Sequence, residues 1–182
     1  GDAMGSNLGL YHFLRHKGHE VTVISPNEFP DFLAWLPASN TVQVFEKDTE
    51  AAKTILKEAE VVFTLDFNAL SRTGDAMEAA LKELTATFIM IDHHQKPDGY
   101  AKYMFSDTSY GSTCEMVYHF IEALNEKQFL DVTVATCLYT GIVTDSGSFR
   151  FHTTTGTTHR IVAEFIDLGV DNAAIHSLLF DN

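Results

Sequence analysis

The chain has 182 residues, an apolar share of 45% and a formal net charge of −13. That length is enough for one domain with a substantial core. The 25 acids against 12 bases argue against a general surface that grips long nucleic acid, since phosphate binding requires dense Lys and Arg. The sequence shows no secretory signal, lipidation motif or apolar run of about 18 residues, so we expect a cytoplasmic protein with no membrane span.

The first half of the chain alternates between helical and extended patterns. In chain order it predicts a helix over 8–14, strands over 20–25 and 41–45, a helix over 51–59, a strand over 61–65, a helix over 75–84 and a strand over 87–91. Asp75 has the position and type of an N-cap, with Glu78 three residues later. Alternation at this spacing predicts a parallel sheet built from βαβ units.

After Tyr100 the pattern becomes mainly helical. Ser112 and Glu115 form a capping-box sequence that opens a helix to about Leu124. Backbone N–H groups at this helix end could face an anion, although an ordinary cap needs no further role. Further helices are predicted over 131–143, 157–168 and 171–180. The predicted fold is therefore an α/β domain, with a parallel sheet flanked by helices and a mainly helical C-terminal half.

The most informative segment is Asp92-His93-His94, which directly follows the apolar run 87–91. Strands of a parallel sheet are apolar on both faces, and ligands collect beyond their carboxyl ends. Successive side chains of an extended backbone point apart, so the two histidines cannot easily bind one ion. One of them is predicted to be a metal ligand, which leaves the other to contact substrate or move protons.

Two other apolar runs also end in a carboxylate, at Asp66 after 61–65 and at Asp145 after 141–144. We interpret both as strand edges, although 131–143 also has the pattern of a buried helix. Together the three acidic ends predict one crevice that holds a divalent metal. Imidazole beside carboxylates favours Mn²⁺ or a similar ion over Ca²⁺. The alternative, in which Asp66 caps a turn and the histidines are surface residues, must explain each end separately.

Three more polar side chains near these segments are predicted to bind substrate. Asn68 lies two residues after Asp66. Arg72 and Arg150 each follow a metal segment closely enough to form a bidentate phosphate clamp. For either arginine, an ordinary ion pair on an acidic surface is an equally good interpretation.

Four blocks of sequence resemble the DHH phosphoesterase superfamily. In order they are Gly1-Asp2-Ala3-Met4-Gly5-Ser6, Leu65-Asp66-Phe67-Asn68, Asp92-His93-His94 and Gly141-Ile142-Val143-Thr144-Asp145-Ser146-Gly147. A lone Asp-His-His would be a weak signal, but four ordered blocks that span nearly the whole chain are a strong one. Within the superfamily the chain most resembles the oligoribonuclease-type members that also remove the 3′-phosphate of phosphoadenosine phosphate.

The resemblance implies a role for the residues of these blocks. Four side chains would bind two Mn²⁺ or Mg²⁺ ions: Asp2, Asp66, His93 and Asp145. Asp66 would bridge the ions. Asp92 would support the site from behind the ligands and His94 would face the scissile phosphate, and these two are the predicted catalytic residues. The implied reaction is in-line attack of a metal-held hydroxide on short oligoribonucleotides and/or on the 3′-phosphate of phosphoadenosine phosphate.

Other activities remain open at this point. A cyclic-dinucleotide phosphodiesterase and an inorganic pyrophosphatase are the alternatives within the superfamily, and the few Lys and Arg available for a compact tetra-anion disfavour the second. A non-catalytic nucleotide-binding regulatory module is the alternative from another class. The predicted partner is a small nucleotide or a short oligonucleotide, and a homodimer is compatible with the resemblance.

Two features of the superfamily are missing from these 182 residues. Its first motif supplies a histidine and another aspartate just before the position of Asp2, and its usual C-terminal domain supplies a glycine-rich substrate-binding loop. We therefore expect residues 1–182 to be a catalytic domain that is incomplete at its N-terminal end. One metal would then be incompletely ligated, and substrate choice is left open.

Overall fold

Parallel strands with helices on both faces make up the fold. The computed structural model describes residues 1–181. In chain order its elements are α1 (Asp2–His16), β1 (Ile24–Ser25), β2 (Gln43–Val44), α2 (Thr49–Glu58), β3 (Val61–Leu65), α3 (Asp75–Lys82), β4 (Thr87–Asp92), β5 (Tyr103–Ser106), α4 (Thr113–Ala123), α5 (Val132–Asp145), α6 (Gly156–Asp167) and α7 (Asn172–Phe180). Short 3₁₀ helices lie at Asp31–Leu33, Ser39–Thr41, Leu70–Thr73 and Lys127–Phe129.

The strands form two parallel sheets. β1 pairs with β2, and β4 lies between β3 and β5 in a three-stranded sheet. The register pairs Leu65 with Ile91 and Asp92 with Ser106, so the carboxyl ends of β3, β4 and β5 lie along one edge. The predicted α/β fold with parallel strands is confirmed.

The three-stranded sheet is covered on both faces. Phe63, Leu65 and Ile91 face the larger core, to which α1, α4, α5 and α6 contribute. Val62 and Phe88 face the smaller core formed by α2 and α3. Alternate residues of a strand point to opposite faces, so a strand buried on both sides needs apolar residues at nearly every position. Among residues 1–181, none of the helices has the length and apolar character needed to cross a membrane.

α1 and α5 pack closely because glycines face each other where the helices cross. A Cβ atom on Gly5 would lie 2.5 Å from the Cys137 carbonyl oxygen and 3.0 Å from the Gly141 nitrogen. A Cβ atom on Gly141 would meet the Cys114 sulfur and lie 3.0 Å from the Asp2 carboxylate. This close approach brings the first turn of α1 against the N-terminus of α4.

The strands differ from the sequence prediction in length and in number. β1 and β2 each keep only two residues of the longer strands predicted over 20–25 and 41–45. β5 is an addition at the edge of the sheet, where Tyr103 and Met104 are exposed. A four-residue edge strand with its first residues in solvent gives too short a pattern for periodicity to detect.

Two helix ends also differ from the prediction. Gly74 is the N-cap of α3 and Asp75 is the first helical residue, with no side-chain capping bond, so the predicted Asp75 cap is wrong. Asp145 is the last residue of α5, so the interpretation of 141–144 as a strand edge is wrong as well. A short apolar run looks the same in a buried helix and in a buried strand, and periodicity alone does not separate them.

Candidate metal centre

Asp66 begins the site at the carboxyl edge of the three-stranded sheet. Its backbone N–H donates to the Ile91 carbonyl at 3.1 Å, which sets it beside the end of β4. Asp66 has a φ of 67°, a left-handed conformation. Such a conformation costs a non-glycine residue roughly 1–3 kcal/mol and is found preferentially at functional sites. The turn brings Asp66 Oδ1 to 3.6 Å from His93 Nε2.

The His93 ring lies at the centre of an acidic cluster. Its Nε2 atom is 3.3 Å from Asp145 Oδ2, 3.6 Å from Asp66 Oδ1 and 3.6 Å from Asp2 Oδ2. Nε2 is buried and has no hydrogen-bond partner among the described residues. The carboxylates, Asp66 above all, raise the pKa of the His93 imidazole to about 9 against the opposing effect of burial. The cluster therefore attracts positive charge to this nitrogen.

The contacts of His93 fit a divalent cation. Its Nδ1 lies 3.1 Å from the Tyr110 carbonyl oxygen, and in the neutral imidazole a proton on Nδ1 leaves the Nε2 lone pair free for a cation. Ligands about 2.1 Å from one ion lie roughly 3.0–3.5 Å from each other, close to the distances around Nε2. Two groups of three residues each bring their donor atoms within 4.8 Å of one another. The first group is Asp2, His93 and Asp145, and the second is Asp66, His93 and His94.

Asp2 is the most buried member of the cluster, with 3% of its surface exposed. Its Oδ2 accepts from the Thr113 N–H at 2.7 Å and its Oδ1 from the Cys114 N–H at 2.9 Å, in the first turn of α4. Burial, reinforced by Asp66 and Asp145, raises the pKa of Asp2 well above its ordinary value, although the two N–H groups oppose this. A bound cation would offset the buried negative charge.

The sequence allowed for an anion at the N-terminus of α4, and the structure places the Asp2 carboxylate there. Ser112 caps this helix as predicted, because its Oγ accepts from the Glu115 N–H at 3.1 Å. The cap satisfies one of the free N–H groups of the first turn, and Asp2 accepts from two others. The helix start thus fixes the orientation of a carboxylate that faces His93.

Asp92 and His94 form a pair beside the cluster. Asp92 is fully buried, and its carboxylate accepts from His94 Nδ1 at 2.6 Å and from the His94 backbone N–H at 2.9 Å. His94 Nδ1 also lies 4.0 Å from Asp66 Oδ1, and 54% of the His94 side chain is exposed. With Nδ1 engaged by Asp92, the Nε2 edge is left for solvent or a bound molecule.

The loop after Asp145 has an unusual backbone. Residues 147–149 have φ values of 57°, 57° and 65°, which makes three successive left-handed residues. The turn is closed by Arg150, whose Nε donates to the Gly147 carbonyl at 2.7 Å. The Asp145 side chain is 38% exposed. Burial and, after it, Asp66 raise the pKa of the Asp145 carboxyl.

The three predicted substrate contacts lie in different settings. Asn68 is buried, and its Nδ2 donates to the carbonyl oxygens of His94 and Gln95 at 3.2 and 3.0 Å, so it holds the loop that follows β4. Arg72 is exposed near the end of a 3₁₀ helix, and Arg150 is exposed in the loop after α5. Contact of these residues with substrate stays a prediction.

Sequence reasoning missed three residues that shape the site: Tyr110, Thr113 and Gly141. The Tyr110 carbonyl orients the imidazole of the cluster, Thr113 Oγ1 donates to Asp66 Oδ1 at 3.0 Å, and Gly141 leaves room for Asp2. The capping box was a usable signal for Thr113, since it predicts where unpaired N–H groups begin. No local pattern marks Tyr110, and Gly141 stood in the fourth sequence block without a role of its own, because each acts through a tertiary contact.

Comparison with known proteins identifies the family. A family model described as the DHH family, N-terminal domain, matches residues 1–142. The chain belongs to the DHH family. The resemblance expected from the four sequence blocks is thereby confirmed, and with it a family whose chemistry is phosphoester hydrolysis.

Relatives of this DHH chain are longer proteins. It is 32% identical over 176 residues to the bifunctional oligoribonuclease and PAP phosphatase NrnA of Thermus thermophilus, covering 96% of the chain and 49% of the relative. It is 28% identical over 181 residues to the Bacillus subtilis protein of the same name, covering 99% and 53%. The crystal structure of an exopolyphosphatase-related protein from Bacteroides fragilis matches with a TM-score of 0.97 and 36% identity, covering 100% and 53%. The chain spans about half the length of the curated relatives it matches.

Proposed function

We propose that this DHH chain is the catalytic domain of a metal-dependent phosphoesterase. Its proposed substrates are short oligoribonucleotides, the 3′-phosphate of phosphoadenosine phosphate, or both. The observation that carries the proposal is the buried His93 Nε2, which lacks a hydrogen-bond partner and faces three carboxylates: Asp2, Asp66 and Asp145. The substrate class is supported by the names of the Thermus and Bacillus relatives.

Four side chains would hold the two ions: Asp2, Asp66, His93 and Asp145. Mn²⁺ is the proposed ion and Mg²⁺ the alternative, because the donors join carboxylate oxygens to an imidazole. Such ions supply Lewis acidity, charge neutralisation and a hydroxide nucleophile at neutral pH, so no protein nucleophile is required. The Tyr110 carbonyl and the α4 N–H groups orient two of the ligands in advance.

Asp92 and His94 are the proposed proton-handling pair. The bond from Nδ1 to the Asp92 carboxylate requires a proton on Nδ1 of His94, and the second bond, from the His94 backbone N–H, holds the same carboxylate beside the ring. In the imidazolium form Nε2 also carries a proton, which would pass to the leaving oxygen of the scissile phosphate and return His94 to the neutral Nδ1–H form. The half-exposed position of His94 is open to a substrate phosphate, while buried Asp92 acts through the histidine.

Substrate recognition is proposed to involve Arg72, Arg150 and the loop held by Asn68. A formal net charge of −13 suits a small nucleotide held by cations better than a long nucleic acid. The chain covers 49% of the Thermus relative, and the substrate-binding loop that the family resemblance implies outside residues 1–182 stays a prediction. The cytoplasmic location and the homodimer considered from the sequence stay predictions.

The test is Mn²⁺-dependent hydrolysis by the protein of four substrates: phosphoadenosine phosphate, a diribonucleotide, a cyclic dinucleotide and pyrophosphate. Asp66→Ala removes a carboxylate that lies near both histidines and is expected to lower turnover about 10²-fold or more. Asp167→Ala removes an exposed carboxylate at the end of α6 and is the matched control, with turnover unchanged.

The outcomes separate the candidate functions. Turnover of either of the first two substrates, lost in Asp66→Ala and kept in Asp167→Ala, would support the proposal and rank the substrates. Turnover of the cyclic dinucleotide or of pyrophosphate alone would favour the corresponding alternative. Mn²⁺ binding without turnover of any substrate would contradict the proposed function and favour a regulatory module.

A further inference from the structure

We propose that Thr113 is a positioning residue that fixes the orientation of two proposed metal-binding carboxylates, Asp2 and Asp66, relative to each other. The proposal rests on the proposed function for the role of those carboxylates. Thr113 is fully buried at the first position of α4. Its backbone N–H donates to Asp2 Oδ2 at 2.7 Å, and its Oγ1 donates to Asp66 Oδ1 at 3.0 Å.

Both contacts are made to the oxygens that face the imidazole of the cluster. Asp2 Oδ2 and Asp66 Oδ1 are the atoms that lie 3.6 Å from His93 Nε2. Each carboxylate oxygen has two lone-pair directions, and a donor on one of them leaves the other as the direction open to a cation. A single threonine therefore fixes the free lone pairs of two carboxylates that come from α1 and from the turn after β3.

The hydroxyl has no role in holding the helix together. The capping bond of α4 is made by Ser112, whose Oγ accepts from the Glu115 N–H. Thr113 Oγ1 donates across the site to Asp66 rather than to a nearby carbonyl. This differs from Thr140, an equally buried threonine of α5, whose hydroxyl donates to the Thr136 carbonyl of its own helix at 2.8 Å.

The contacts of Thr113 predict separate effects for its hydroxyl and its methyl group. Partners that orient metal ligands contribute about 10–100-fold to metal affinity, whereas a buried methyl group contributes to stability through packing. Thr113→Val keeps the shape and the backbone N–H but removes the donor to Asp66. Thr113→Ser keeps the donor and removes the methyl group. The two variants should therefore rank in opposite order for affinity and for stability of the metal-free protein.

The test is Mn²⁺ affinity, measured by calorimetry and by the electron paramagnetic resonance signal of free Mn²⁺. Thermal unfolding with EDTA is recorded in parallel. Thr113→Val is expected to weaken Mn²⁺ binding about 10–100-fold, and Thr113→Ser to stay within about threefold of the parent protein. Thr140→Val makes the same chemical change at a threonine whose hydroxyl donates to a backbone carbonyl, and its affinity should be unchanged.

Equal affinity in Thr113→Val and the parent protein would overturn the proposal, as would a larger loss in Thr113→Ser than in Thr113→Val. If Thr113→Val does not fold, Thr113→Ala and Thr113→Ser decide instead. They differ only by the hydroxyl, and equal affinity in that pair would also overturn the proposal. Affinity is measured without substrate, so the two proposals can fail separately. A protein that binds Mn²⁺ but hydrolyses nothing refutes the proposed function, and the affinities of the Thr113 variants still test the positioning role of Thr113.

Discussion

The two sides of the candidate metal centre hold their side chains in different ways. On the inner side, formed by Asp2, Thr113, Cys114 and Gly141, every group is buried and Asp2 accepts from two backbone N–H groups. On the outer side, formed by His94, Asp145 and Arg150, the side chains reach solvent.

The difference indicates a division of labour between the two sides. A ligand that is oriented in advance loses little freedom when a cation binds, which suits the inner side to metal affinity. A side chain open to water can meet an incoming phosphate, which suits the outer side to substrate. Substitution of His94 should therefore change turnover with metal affinity kept, whereas substitutions on the inner side, and of the proposed ligand Asp145, should change metal affinity.

The largest expected effect is on the outer side, at His94. Asn in place of His94 can keep a donor near Asp92 but has no Nε2 to exchange a proton. His94→Asn should lower kcat about 10²–10⁴-fold, as for loss of a general acid or base, with the unfolding free energy within about 0.5 kcal/mol of the parent. Steady-state kinetics and Mn²⁺ titration measure this, with the exposed His152→Asn as control. Loss of Mn²⁺ affinity equal to the loss of turnover would erase the distinction between the two sides.

A smaller effect is expected on the inner side, at Gly141. The Cβ atom of Gly141→Ala would meet the Cys114 sulfur and lie 3.0 Å from Asp2 Oδ1. We expect the unfolding free energy to fall by about 1–3 kcal/mol, as for overpacking of a core, and Mn²⁺ affinity to fall with it. Urea unfolding with and without Mn²⁺ checks this. Gly99→Ala adds a methyl group in open space and should do neither. A parent-like Gly141→Ala would show that the α1–α5 contact tolerates displacement.

The smallest expected effect is on the stability of the metal-free protein as a function of pH, and it concerns Asp145. Burial and then Asp66 raise the pKa of the Asp145 carboxyl in the folded protein. Its ionised form is therefore disfavoured on folding, and metal-free stability falls as pH rises from about 3.9 through the raised pKa. Asp145→Asn removes this loss. With EDTA at pH 7 it should gain up to about 1 kcal/mol after solvent screening, while Mn²⁺ affinity falls at least about tenfold.

The pH profile of unfolding in EDTA decides this prediction. The parent protein and Asp145→Asn should have similar stability near pH 3 and diverge as the carboxyl ionises. A variant that is less stable than the parent throughout this range would mean that the Asp145 carboxylate stabilises the metal-free fold, contrary to the expectation.

The sequence was most informative where burial and local pattern agree. β3 and β4 are apolar on both faces, so their ends and the position of Asp66 beside Asp92 could be predicted from the strand pattern alone. The Ser112 cap was likewise predictable from residues four positions or fewer apart. The apolar run before Asp145 predicted its place in the crevice but assigned it to a strand instead of the end of α5. The family resemblance added Asp2, whose proximity to these strand ends no local pattern shows.

The remaining differences come from tertiary contacts. The run that ends at Asp145 is apolar because α5 is buried, and a buried helix and a buried strand share that composition. Gly141 and Thr113 gain their roles from α1, which packs against both α5 and α4. Such contacts depend on how helices cross, and the crossing is set by many residues that are distant in sequence.

The bond between Asp2 and Thr113 joins positions that are 111 residues apart. A contact of such long range requires a large loop to close, and the entropy lost on closure opposes it. A cation bound by Asp2 would therefore stabilise the contact between α1, at the start of the chain, and the helices of its second half. By linkage, free cation at 100 times its Kd would add about 2.7 kcal/mol to the free energy of unfolding. Metal supply would then influence the stability of the folded domain as well as its chemistry.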